Sequence, residues 1–191
     1  SGSPHNVPFN GENMRVKAWV LVMALVTLLP ASSAAQATSA ADITSEDINS
    51  VLAIMGRSID HQLRVVDIGI GNVAVGILHR TGDNDSDGEL RGVAHTQLSE
   101  VYYILSGGGT LLTGGTIANA TEPGPDDVVG PTLSGDSRNG RIREVSAGDI
   151  VVIPEGVLHA WTFIPDQVTY LSIRPDPHGI LPAGYVHPEI D

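Results

Sequence analysis

No cysteine occurs in the 191 residues, the only lysine is Lys17, and aromatic residues make up 4% of the chain. Each scarcity removes a class of chemistry. Without thiols there is no cysteine nucleophile, cysteine-ligated zinc, iron–sulfur cluster or disulfide. Without a lysine beyond Lys17, Schiff-base catalysis and a phosphate-cradling P-loop lysine are excluded from the rest of the chain. Positive charge is also scarce, with 10 Lys+Arg against 22 Asp+Glu and a net charge of −12. That balance argues against nucleic acid or an anionic membrane surface as the main partner, since both repel an acidic protein. What remains for chemistry is His, carboxylates, Arg, Tyr and backbone. At 41% hydrophobic and 17% charged, the composition is that of a folded domain rather than a disordered chain.

The N-terminal part has the layout of an export signal. Met14 is followed by Arg15 and Lys17, an apolar run from Ala18 to Leu29, Pro30, and the small-residue stretch Ala31–Ala37. The run is short for a bilayer span, which needs roughly 20 apolar residues. The expected organisation is upstream residues 1–13, a signal peptide 14–37 cleaved near Ala35 or Ala37, a helical arm 38–62, a β-barrel 63–175 and a Pro-rich tail 176–191. The expected location is periplasmic or secreted, with no stable membrane span once the signal is removed.

One helix is expected, opening at Thr44-Ser45, where Ile48, Val51, Leu52 and Met55 recur on one face. After Gly56 the pattern becomes short β-type runs separated by glycine: 63–68, 72–80, 101–105, 110–112, 150–153, 159–164 and 168–174. Many short strands and little helix imply an all-β antiparallel barrel or sandwich. The Gly/Pro/Asp/Ser-rich stretch 116–146 reads as a long inserted loop, either a lid or a disordered insertion. Ser106–Gly109 and Gly114-Gly115 read as tight turns, since neither opens a helix and no Lys follows. Asp83–Gly88 starts like a calcium loop, but Ala94 stands where the bidentate Glu belongs, so it reads as a solvated hairpin loop.

Two motifs carry chemistry. The first is His95-Thr-Gln97-Leu-Ser-Glu100 followed, six residues on, by Gly107; the second is Gly148, Pro154, Gly156 and His159. In these residues the chain resembles the cupin superfamily, whose motifs read G-x5-H-x-H-x3,4-E-x6-G and G-x5-P-x-G-x2-H-x3-N. The second motif matches through His159, with Phe163 in place of its final Asn. The first matches from His95 onward, with Val93 where the family has its first histidine. The resemblance spans roughly residues 70–175. It implies a small jelly-roll barrel and one divalent metal (Fe, Mn, Ni, Cu or Zn) held by His95, Glu100 and His159. Imidazole nitrogens and a carboxylate oxygen suit such ions, and side chains on adjacent barrel strands can converge on one interior point.

Four further residues are assigned to substrate binding. His79 follows Val73, Val75 and Ile77 at alternate positions, so it either points into the barrel or is a hydrogen-bonded core histidine. Tyr102 shares strand parity with Glu100, and Trp161 with His159. Arg174 ends the alternating series Tyr170, Ser172, Arg174 and either clamps a substrate carboxylate or faces solvent. Tyr103 should face away, and His178 and His187 in the tail carry little weight. The expected activity is that of a metal-dependent cupin enzyme, dioxygenase-like, on a small organic molecule, with Glu100 able to act as a base. The alternatives are a non-catalytic small-molecule-binding or sensory module and a metal-dependent isomerase or lyase. Resemblance to cupins also implies a possible homodimer.

Overall fold

The computed structural model describes residue 2 and residues 39–82, 90–124 and 128–190. The expected signal segment and the Asp83–Gly88 loop lie outside the described residues. Among those described, no helix is long and apolar enough to cross a membrane.

Helix α1 spans Ser45–Ile54 and begins where the sequence signals it. The Thr44 hydroxyl accepts the Asp47 amide at 3.1 Å, and the Asp47 carboxylate accepts the Thr44 amide at 2.8 Å. This reciprocal box satisfies two amides that the first turn leaves unpaired. Val51 on its inner face packs with Leu63, Ile77 and Ile190. Burying each such side chain contributes about 1.5–3 kcal/mol.

Ten strands follow: β1 Asp60–Asp67, β2 Asn72–Thr81, β3 Arg91–His95, β4 Glu100–Thr113, β5 Thr116–Thr121, β6 Thr132–Arg138, β7 Arg141–Ser146, β8 Ile150–Ile153, β9 His159–Phe163 and β10 Gln167–Asp176. All pairings are antiparallel. The strands run β1-β2-β10-β4-β9-β3-β6-β5, with β7 and β8 also paired to β4. The sheet curls on itself as a jelly-roll barrel of the cupin kind, and its inner core holds Tyr102, Ile104, Leu111, Val151, Trp161 and Tyr170.

Strand β4 belongs to both halves of this barrel. Its first residues pair with β8 and β10, and its last with β7 and β9. The Gly107–Gly109 segment, expected as a turn, is the crossing point. Gly107 has φ +69°, and a Cβ there would run into the Gln167 carbonyl; Cβ atoms at Gly108 and Gly109 would strike the carbonyls of Val145 and Phe163. Backbone fills the space on three sides, so the glycines permit close approach rather than chain reversal.

Two expectations are corrected. The stretch 116–146 is not a loop: it holds β5, β6 and β7. Strand β5 lies at the end of the strand order and has no buried residue, so a polar composition was compatible with strand there. The tail does more than wrap the surface. Val65 and His187 amides donate to Tyr185 and Leu63 carbonyls at 3.0 and 2.8 Å, Val186 bridges to Arg64, and Leu181, His187 and Ile190 are buried. The tail thereby covers the outer edge of β1.

Candidate metal centre

His95 ends β3, Glu100 opens β4 and His159 opens β9, with Val93 paired directly to His159. The two motifs are tied by backbone. The Gly156 amide donates to the His95 carbonyl at 2.8 Å, and the Glu155 amide to the Ser99 hydroxyl at 3.1 Å. The fixed spacing of each motif therefore lets its turn meet the other.

The three side chains converge. One ligand atom from each of His95, Glu100 and His159 lies within 4.8 Å of the others. Glu100 Oε2 stands 3.4 Å from His95 Nε2 and 3.1 Å from His159 Nε2. All three residues are at most 7% exposed, which limits competition from water.

Hydrogen bonding fixes which imidazole nitrogen faces the centre. The Thr132 hydroxyl donates to the Gly130 carbonyl at 3.1 Å, so it accepts from His95 Nδ1 at 2.9 Å. His159 Nδ1 donates to the Val157 carbonyl at 3.1 Å. With Nδ1 of each ring engaged in this way, Nε2 is the nitrogen that each ring turns toward the Glu100 carboxylate. Two imidazole nitrogens and a carboxylate oxygen facing one another form a donor set that fits a divalent metal.

Glu100 is held from behind. Its Oε1 accepts Ser172 Oγ at 2.7 Å and Arg174 Nε at 3.3 Å, and its Oε2 accepts the Tyr102 hydroxyl at 3.0 Å. Burial pulls this carboxyl upward. Hydrogen bonds with His159 and His95, and the charge of Arg174, outweigh burial and hold it well below the usual carboxylate range. Glu100 is thus a carboxylate with one oxygen turned to the histidines. Burial drives the Tyr102 phenol well above its ordinary value, and the Glu100 charge adds to the effect, so Tyr102 is neutral and able to donate.

A cavity of about 360 Å³ opens onto this group, and Asp60, Leu78, Arg80, Val93 and Tyr102 join the three ligand candidates in its wall. Tyr102 is thus where its parity places it. Val93, at the family's first histidine position, presents an apolar side chain instead.

The other three residues assigned to substrate binding are not among those lining this cavity. His79 lies on the opposite face of β2 from the cavity, its Nδ1 2.8 Å from the Thr169 hydroxyl. Leu78 and Arg80 point inward in its place. The sequence parity misled because Val75 and Ile77 form an apolar face that packs against the α1 side, so both faces of β2 look like core. Trp161 is buried away from the cavity, its indole N–H donating to the Tyr170 hydroxyl at 3.2 Å. Arg174 faces inward but is fully buried, and all three guanidinium nitrogens are committed: Nε to Glu100, Nη1 to Gln62 at 2.7 Å and the Val128 carbonyl at 3.4 Å, Nη2 to Asp60. It supports Glu100 rather than meeting a substrate.

Asp60, Gln62, Arg80, Thr132 and Ser172 carry no assignment from the sequence motifs. Asp60 and Gln62 precede the first expected strand, and Thr132 falls in the stretch taken for a loop. Only Ser172, on the same parity as Arg174, carried a usable signal.

The sequence matches no protein-family model and no curated protein. Among solved structures, the chain is similar to a cupin protein from Bacteroides fragilis, at 20% identity over 60% of this chain and 72% of that one, TM-score 0.35. It is also similar to a protein from Bacillus halodurans, at 15% identity over 80% and 92%, TM-score 0.43. A DMSP lyase from Ruegeria pomeroyi shares 16% identity over 73% of this chain and 56% of its own, TM-score 0.41. The chain has a jelly-roll fold of the cupin type.

Proposed function

We propose that this chain is a metal-dependent cupin enzyme that oxidises a small organic molecule, with one divalent ion held by His95, Glu100 and His159. The observation that carries this reading is the convergence of two imidazole nitrogens and a Glu100 carboxylate oxygen within 4.8 Å at a cavity wall. Two imidazoles and one carboxylate are the ligand set of many non-haem iron oxygenases. When bound, such an ion supplies Lewis acidity and open positions for substrate and dioxygen. The chain's own residues do the rest. Arg174 and Ser172 hold Glu100 in place, Thr132 and Val157 orient the two rings, and the neutral Tyr102 hydroxyl donates to Glu100 Oε2 at the cavity wall.

The Tyr102–Glu100 pair favours a second reading, because an acid–base couple beside a Lewis acid serves a lyase or isomerase without oxidation. Metal analysis separates the readings. After loading with Fe, Mn, Ni, Cu and Zn in turn, elemental analysis should find one ion per chain, lost in His159→Ala. Oxygen uptake by the iron form with a panel of small organic molecules then supports oxidation. Retention of zinc with oxygen-independent turnover supports the lyase or isomerase. A protein that takes up no metal is a binding module, and the enzyme reading fails.

Residues 14–37 are proposed to direct export, with the chain working outside the cytoplasm; a mature N-terminus at Met14 in material from the native host overturns this. A homodimer is proposed on the outward-facing Ile150 and Val152 of β8, which are 63% and 66% exposed. Light scattering that reports a monomer rejects it.

A further inference from the structure

We propose that the molecule held at this site carries a carboxylate, and that Arg80 binds it. This rests on the cavity of the metal reading, but on a residue that is no part of the ligand set. Besides the histidines, three ionic side chains line the cavity, Asp60, Glu100 and Arg80, and Arg174 lies behind them. Both acidic members contact Arg174. Glu100 is held by Arg174 and Ser172, and Asp60 Oδ2 by Arg174. Arg174 has spent all three nitrogens on the protein.

Arg80 has not. Among the described residues, the hydrogen bond of its guanidinium is from Nε to the Tyr170 hydroxyl, at 3.2 Å. That contact fixes the plane of the group from its inner edge and leaves the two terminal nitrogens as a fork at the cavity. The residue is half-buried, so the fork is only partly hydrated and an anion gains more from it than at an open surface. A planar fork pairs bidentately with a planar carboxylate. The two terminal nitrogens fit one carboxylate, and the nearby Asp60 and Glu100 disfavour a more highly charged ligand such as a phosphate. A wall shared with Leu78, Val93, Val129 and Pro123 suits a short apolar body behind the acid group.

The test uses the full-length protein loaded with cobalt(II), with acetate, pyruvate and benzoate as probes and benzamide as the uncharged control. Calorimetry should detect the carboxylates and not benzamide. Arg80→Gln should weaken benzoate by about 10- to 100-fold, the worth of charge-assisted hydrogen bonds, and Arg80→Lys by less. Equal benzoate affinity in wild type and Arg80→Gln means that the metal alone binds the acid, and overturns the proposal. Chemical modification covers the case in which the variants misfold. Phenylglyoxal should label Arg80 in the wild type, with benzoate protecting it and benzamide not; equal labelling with either overturns the proposal. Failure to take up cobalt rejects the metal reading but not this one. Benzoate protection of Arg80 in the metal-free protein would then support it, and its absence would overturn it.

Discussion

Replacing Arg174 with methionine removes a cation that has no contact with solvent and leaves two carboxylates, Asp60 and Glu100, without their shared partner. The methionine fills most of the volume, so the cost is electrostatic rather than a cavity. Breaking a buried ion pair from one side typically costs about 3–5 kcal/mol. Glu100 retains Ser172, Tyr102 and the histidines, which limits its share. Asp60 has less to fall back on. Burial already pushes its carboxyl up, Arg174 offsets part of that, and its Oδ1 is buried without a hydrogen-bond partner. With Arg174 gone, Asp60 escapes most of the penalty by taking a proton, so the lower end, about 3 kcal/mol, is expected near neutral pH. For a domain of this size that lowers Tm by roughly 6–12 °C.

The pH dependence has a definite sign. In the variant, the folded form of Asp60 binds its proton more tightly than the unfolded chain does. Its contribution is therefore intact below the ordinary aspartate range, about 3.9, and is lost as pH rises through the raised folded value. The gap between variant and wild type should widen from pH 5 to pH 8 in urea melts followed by circular dichroism. Asp60→Asn added to Arg174→Met should recover part of the loss. A variant as stable as wild type at pH 8, or a gap that narrows with pH, would refute the view that Arg174 neutralises these two acids.

Thr132→Val deletes the acceptor that fixes the His95 ring, and should weaken metal affinity by about 10- to 100-fold in a competition titration while Tm changes little. Burial holds the phenols of Tyr102 and Tyr170 above their ordinary value; the nearby Glu100 charge adds to the shift at Tyr102, while Arg80 partly offsets it at Tyr170. Their stabilising effect is complete below about pH 10 and is lost as pH rises through the folded values. Alkaline titration at 295 nm should show part of the tyrosine absorbance appearing only as the protein unfolds; full ionisation of a still-folded protein contradicts this.

What was legible in the sequence followed local rules. The capping residues and apolar spacing of α1, the alternation in β8 to β10, and the motif spacings that bring His95, Glu100 and His159 together all depend on near neighbours in the chain. What was not legible depends on which side of a strand another element covers. Val75 and Ile77 mark an apolar face of β2, but nothing local says that α1 takes that face, so the sequence leaves the direction of His79 open and gives no signal for Arg80. The alternation of β10 leaves Arg174 either inward or solvated, and its role rests on Asp60 and Gln62, more than a hundred residues earlier. Strand β5 stays hidden because an edge strand needs little apolar content.

The glycine crossing in β4 ties chemistry to a place where no reaction occurs. Glu100 begins the same strand that, seven positions later, is hemmed in by three neighbouring carbonyls. Adding a single methyl group at Gly107, Gly108 or Gly109 would force the two halves of the barrel apart. The displacement would run along one continuous backbone to the acid and, through β9, to His159. Tolerance to mutation in this protein should therefore be lowest along that spine, well outside the cavity, while the outer strands accept change freely.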